Sequence, residues 1–242
     1  MPGNVTVGST VRFASSSNYK NNIIGNMATN KISRVWDFTE LTLDTTNQYT
    51  VELDTTSTIA IGAGGCLLTT AATDTKVASL ALGGLFWYPA KNPIVEFTFQ
   101  LDVVTTVAIY AGFSDAVTEG TAKLPFSLIT ATLSDWATDA AGFLFDTRQT
   151  LSYFNIVNTK NNTEAFTQLA STRVPVAATN LTLRVAIDTA GKARYFWNGM
   201  EVGAKTAAVS TTVPLIPFFG IRNNTATAHV AKLRRVRAWC DE

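Results

Sequence analysis

Residues 181–203 read Leu-Thr-Leu-Arg-Val-Ala-Ile-Asp-Thr-Ala-Gly-Lys-Ala-Arg-Tyr-Phe-Trp-Asn-Gly-Met-Glu-Val-Gly. Leu181, Leu183, Val185 and Ile187 alternate with Thr182, Arg184 and Ala186, the period-2 pattern of a strand with one buried face. Asp188 to Gly191 supplies turn formers, after which Ala193, Tyr195 and Trp197 resume the alternation. Asn198-Gly199 is the strongest short hairpin signal, because both residues accept the positive φ that a tight hairpin turn demands. The spacing therefore predicts a three-strand antiparallel meander, with a short third strand over residues 200–202.

The same alternation extends outward in both directions. Val95, Phe97, Phe99 and Leu101 alternate with Glu96, Thr98 and Gln100, and Val107, Ile109, Ala111 and Phe113 repeat the arrangement; a hairpin is the expectation there. Residues 142–146 and 151–158 predict a further strand pair, with residues 160–163 turning the chain into residues 165–170. Upstream, alternation over residues 35–43 and 49–54 around Asp44-Thr-Thr-Asn predicts two strands joined by a turn. Glycines at 62, 64 and 65 imply bulges or a close backbone approach, since no Lys-Ser/Thr follows them as a phosphate loop requires. Residues 114–139 are less regular and should hold the most irregular connections. In the last strand Leu233 and Val236 cannot share a face unless a bulge intervenes, so a bulge is expected. No stretch sustains a helical period.

The totals narrow the function classes. The 242 residues are 46% hydrophobic but only 15% charged, with 37 Thr and net charge +1. Average soluble domains carry roughly 25% charged residues, so the surface is expected to be rich in hydroxyls. A near-neutral chain gives no global field for nucleic acid or an anionic membrane. No apolar run is long enough to span a bilayer as a helix, and the first residues carry neither a basic nor an apolar signal region. Cys66 and Cys240 are either two buried thiols or one long-range bridge, and spacing does not decide between them. With one histidine, His229, they cannot build a conventional zinc cluster. Asp135, Asp139 and Asp146 show no calcium-ligand spacing. No cofactor and no metal are expected. Residues 1–33 are polar and divide off as an N-terminal arm, leaving residues 34–242 as one sandwich domain.

The meander, residues 214–222 and the closing Arg-Val-Arg-Ala-Trp of residues 235–239 together resemble the C-terminal half of concanavalin A-like, laminin-G-like jelly-roll domains. The shared form is a strand, an Asp-x-x-Gly turn, an aromatic strand ending in Asn-Gly, a penultimate strand and a closing strand ending in Trp; it reaches back to about Pro93. The sequence is also similar to the versions of this domain in virion proteins of tailed bacteriophages. The resemblance implies an all-β, antiparallel two-sheet β-sandwich with an extended N-terminal arm. It further implies a non-enzymatic virion structural protein, a decoration or cement subunit on the capsid surface. Such a subunit is made in the host cytoplasm and is partnered by the major capsid protein and by copies of itself. The alternative is a carbohydrate-binding or receptor-binding virion module whose partners are glycans.

Enzymes of this superfamily carry Glu-x-Asp-x-x-Glu on one strand, where alternation sets the carboxylates on one face. Here Glu52-Leu53-Asp54-Thr55-Thr56-Ser57 keeps the first two and puts Ser57 at the third. A retaining glycosidase needs both its nucleophile and its acid, so no enzyme is expected. His229 lacks any nucleophile elbow and reads as an exposed strand histidine. Two sets of residues remain as partner contacts. Phe86-Trp87-Tyr88 is the densest aromatic cluster: it either straddles a strand with alternate rings in the core or presents Trp87 and Tyr88 outward, and Trp136 is a second candidate ring. Lys232, Arg234, Arg235 and Arg237 crowd the last strand, either as a charged edge or solvent face or as a docking surface for an acidic protein. Aromatics are not interleaved with these bases, which argues against nucleic acid.

Overall fold

The computed structural model describes residues 31–38, 42–62, 64–118 and 123–241. Two antiparallel sheets pack face to face, and no α-helix occurs among the described residues. The first sheet contains β1 (Lys31–Trp36), β3 (Thr58–Gly62), β4 (Gly65–Thr69), β6 (Ile94–Leu101), β13 (Leu181–Ile187), β14 (Ala193–Trp197), β15 (Met200–Lys205) and β17 (Val230–Asp241). Its order is β15-β14-β13-β6-β17-β4-β3, with β1 pairing the C-terminal half of β17. The second sheet contains β2 (Tyr49–Leu53), β5 (Val77–Leu82), β7 (Val107–Ser114), β10 (Asp139–Asp146), β11 (Phe154–Lys160), β12 (Thr163–Gln168) and β16 (Ile216–Asn223). It runs β12-β11-β10-β7-β16-β5-β2. β8 (Phe126–Ile129) and β9 (Thr132–Asp135) form a separate hairpin. The fold is thus the antiparallel two-sheet sandwich expected.

The meander forms as read: β13, β14 and β15 pair in succession, with Asn198 at φ 47° and Gly199 at φ 84° in the turn. Asn161 and Asn162 make a second left-handed turn, between β11 and β12. The bulge in β17 falls between Leu233 and Arg235. It keeps Leu233, Val236 and Ala238 all facing inward, which strict alternation forbids. Gly65 packs so closely over the Leu233 carbonyl that a Cβ there would lie 2.6 Å from its oxygen.

Two expected hairpins are instead crossings between sheets. β6 and β7 are consecutive, yet β6 pairs with β13 and β17 while β7 pairs with β10 and β16. β1 and β2 likewise lie in different sheets, pairing β17 and β5; the part of that reading on residues 39–41 lies outside the described residues. Alternation marks a buried face but not which partner supplies the hydrogen bonds, and residues 102–106 carry no tight-turn chemistry to force a hairpin. β1 begins at Lys31, inside the segment assigned to the arm; the arm's residues 1–30 lie outside the described residues.

The core between the sheets is aromatic. Phe99 of β6 meets Phe219 of β16 with ring centroids 5.0 Å apart, and Tyr195 of β14 meets Phe143 of β10 edge-on at 5.6 Å. Such pairs add about 0.5–1.5 kcal/mol each beyond the area they bury. A second core lies on the far side of the second sheet. Tyr110, Leu144, Val157 and Phe218 point away from the first sheet, and Leu124, Phe126, Leu128 and Leu133 from the β8–β9 region cover them. Burial on both faces explains why β10 and β16 read as near-continuous apolar runs and why Ala108 and Tyr110 of β7, off the alternating set, are buried too, whereas β6 and β13, solvated on one face, alternate cleanly.

Candidate interaction surfaces

The sequence candidates fall on different parts of the molecule. Trp87 is 0% exposed and bridges to Leu215, with its ring stacked 4.7 Å from Phe86. It is core, not a partner contact. The Phe86-Trp87-Tyr88 cluster lies in the connection after β5 rather than on a strand, because Gly83, at φ 82°, turns the chain out of the sheet. Tyr88 is exposed. His229 is also not exposed: it is 4% accessible, with Nε2 2.8 Å from Thr106 Oγ1, while its carbonyl accepts the Thr70 N–H. The ends of three strands close over it, which local pattern does not reveal. Cys66 and Cys240 are both buried and unbridged. They sit opposite Leu233 and near Ile32, separated along β17 by roughly 20 Å at about 3.3 Å per residue, beyond disulfide reach.

β17 is flanked by β6 on one side and by β4 and β1 on the other, so its charges do not shield a sheet edge. Lys232, Arg234, Arg235 and Arg237 are on its solvent side, with Arg235 and Arg237 exposed and Lys232 and Arg234 half-buried. Arg234 donates to Gln100 Oε1 at 2.8 Å. Across the sheet Arg237 is in register with Glu96, and Glu96 with Arg184, whose guanidinium lies 4.1 Å over the Phe196 ring. A depression of about 450 Å³ next to these residues is lined by Ser33, Val35, Asp37, Arg235, Arg237 and Trp239.

Trp136 belongs to a second site on the opposite sheet. It is 40% exposed, with Lys123 Nζ 4.8 Å from its ring. The ring walls a cleft of about 390 Å³ between the β8–β9 hairpin and the β2–β5–β16 edge, whose floor holds Ser127, Arg148 and Arg222. Arg222, the last residue but one of β16, faces this cleft. Its partner is Asp146, 0% side-chain exposed, whose Oδ2 accepts from Arg222 Nη2 at 2.5 Å. The same carboxylate accepts the backbone N–H groups of Leu128 and Arg148 and the Asn224 amide. Ser127 Oγ accepts from Arg148 at 2.7 Å and from Arg222 at 3.2 Å. Burial lowers the Arg222 pKa and nearby Asp146 opposes that shift; a guanidinium stays charged regardless. Nothing in local pattern marks this cluster except one arginine closing an apolar strand, a position where a buried cation demands a buried anion.

The carboxylates of the partial enzyme motif are on β2 and just beyond it. Asp54 lies at the mouth of the cleft, 3.3 Å from Lys76 Nζ. Ser57, in the third position, is buried and accepts the Ala71 N–H at 3.0 Å. Among the described residues no group of three His, Cys, Asp or Glu side chains is placed to hold a metal ion.

No family model and no curated protein matches the sequence. Solved structures do match it. The Emp46p carbohydrate recognition domain, in its potassium-bound form, aligns over 84% of this chain and 94% of its own with TM-score 0.58 and 12% identity. LamAcat from Zobellia galactanivorans gives TM-score 0.60 at 9% identity over 84% of this chain and 95% of its own. The Bacillus licheniformis β-glucanase gives 0.57 at 12% identity over 85% and 97%. At such identities the likeness establishes the concanavalin-like jelly-roll fold and nothing finer.

Proposed function

We propose that this protein is a non-enzymatic virion subunit, a decoration or cement protein that docks on the outside of a phage head through the solvent face of β17. The phage setting rests on the sequence resemblance. The docking face rests on one observation: β17 is interior to its sheet, so edge protection does not account for exposed Arg235 and Arg237. Cations concentrated on a broad face, beside a depression, suit an acidic protein surface. The absence of catalysis is supported by Ser57, which replaces the third carboxylate and is tied into the backbone. The test is binding to heads that lack the subunit, together with mass in solution. Wild type should bind, more weakly as salt rises, and Arg235→Glu with Arg237→Glu should abolish binding while leaving the fold intact. A strict monomer with no head affinity ends this reading.

A second reading, a carbohydrate-binding or receptor-binding module, is favoured by the exposed Trp136 ring beside a cleft of saccharide size. Specific glycan-array binding that disappears in Trp136→Ala would support it over the first.

A further inference from the structure

The cleft beneath Trp136 has an electrostatic imbalance that neither reading uses. Four cations line it: Lys76, Lys123, Arg148 and Arg222. Asp54 offsets Lys76, and Asp146 behind the floor offsets Arg222. Asp74 also acts on Arg222, which leaves Lys123 without a carboxylate in the lining and Arg148 with only a share of one. Arg148 shares Asp146 with Arg222 at a longer 3.5 Å, and its Nε is buried without a hydrogen-bond acceptor.

The hydrogen-bonding groups are equally one-sided. Asp54 is the carboxylate on the lining, and it already accepts from Lys76 Nζ and the Val77 N–H. Ser127 is 3% exposed, and its oxygen accepts from both Arg148 and Arg222. With both lone pairs engaged, the Ser127 hydroxyl proton remains to be donated. A lining that offers four cations and a hydroxyl proton against one occupied carboxylate and the Thr75 hydroxyl oxygen is matched best by a group that only accepts. A neutral saccharide, whose hydroxyls must both donate and accept, is a poor match. Lys123 also covers one face of the Trp136 ring, so that face is not open for stacking a sugar.

We infer that this cleft is a receptor for a carboxylate side chain, an aspartate or glutamate presented by an extended segment of a partner protein. The carboxylate meets Arg148 and the Ser127 hydroxyl, and an apolar neighbour in the segment covers Ile129 and Trp136, both exposed at the rim. Charge complementarity selects the occupant: Lys123, together with Arg148, which has only a share of Asp146, favours an anion over a buried donor. The inference is independent of docking through β17, which lies on the other sheet, so either can fail alone.

The experiment follows amide and indole chemical shifts of the full-length protein during titration with an acetylated, amidated Gly-Leu-Glu-Leu-Gly peptide. Its Gln counterpart and free galacturonate are titrated in parallel. The Glu peptide should shift the Ser127 amide and the Trp136 indole saturably and bind about tenfold or more tighter than the Gln peptide, as expected for a charge-assisted hydrogen bond. Arg148→Gln should weaken it severalfold. Lys123→Gln, whose side chain only covers a surface ring, should do the same without disturbing the buried network. No saturable shift, equal binding of the Gln peptide, or saturation by galacturonate at a lower concentration than the Glu peptide each overturns the inference, the last in favour of a saccharide site.

Discussion

Asp146 and Arg222 show what a single buried charge requires of its neighbours. The carboxylate is surrounded by two guanidiniums, two backbone N–H groups and an amide, because each of its lone pairs would otherwise go unmatched away from water. Arg222→Leu should therefore lower stability by about 3–5 kcal/mol, whereas Arg222→Leu combined with Asp146→Leu should cost markedly less, since the one charge that then loses its partner, Arg148, is 25% exposed and can reach water. Urea midpoints of the three proteins give the comparison. Cys66 makes the complementary point about an isolated group. Burial pushes its thiol up from 9.0 to about 12, so the folded state holds a proton that the unfolded chain releases above about pH 9. A raised folded pKa gives stability that is complete below the unfolded value and lost as pH rises toward the folded one. Between about pH 9 and 12 this residue should remove roughly 1.4 kcal/mol per pH step. Cys66→Ala should flatten that alkaline loss in thermal melts. At this scale the sequence was partly legible. Trp136 is exposed because a ring in an irregular segment has little strand neighbourhood to bury it; Trp87, left open between core and partner contact, falls in the core, and His229, read as exposed, is buried, because their covers come from Leu215 and Thr106, distant in the chain.

Strands were legible wherever one face is solvated, and their pairing was legible only where a turn has its own chemistry. Asn198-Gly199 specified a hairpin outright, while residues 102–106 did not announce that the chain leaves one sheet for the other. β10 was recognisable as a strand, but its cover, the β8–β9 hairpin, was not, because its short apolar pieces have no period of their own. Two glycines separate the physics of turn and packing. Gly199 has φ 84° and open space around a built Cβ, so Gly199→Ala should cost about 1–2 kcal/mol from backbone strain alone. Gly142 lies under the Tyr110 ring, where a Cβ would approach to 2.6 Å. The ring cannot swing aside, since its hydroxyl bonds the Phe113 carbonyl and Phe126 and Phe218 pack against it. Gly142→Ala should therefore cost as much or more, about 2–3 kcal/mol, through overpacking. In thermal melts, Tyr110→Leu combined with Gly142→Ala should cost less than the sum of the two single changes, whereas its cost should simply add to that of Gly199→Ala.

At the scale of the whole molecule the described residues form three layers: a sheet solvated on its outer face, a sheet buried on both faces, and a small hairpin clamped over the second. The layers are not equally secured. β6, β7, β16 and β17 each have a neighbour on both sides within their sheets, so opening any of them breaks two ladders and the central core. β8 and β9 form a ladder only with each other and are held to the sheet by Phe126, Leu128 and Leu133, by the Leu128 N–H on Asp146, by Ser127 accepting from Arg148 and Arg222, and by the Thr130 backbone bonded to Arg148 and Thr150. Undocking that layer exposes the second core without disturbing the first, so its opening free energy must lie below that of global unfolding. Native-state hydrogen exchange should show the amides of residues 126–135 exchanging well before those of residues 107–114 and 216–223. Leu133→Asp, which places a charge at the hairpin's contact with the sheet, should accelerate the first group and leave the second nearly unchanged. Equal protection of both groups would mean that the hairpin and the sandwich open as one unit. The cleft lined by Ser127 and Trp136 would then rest on a rigid wall instead of a movable one.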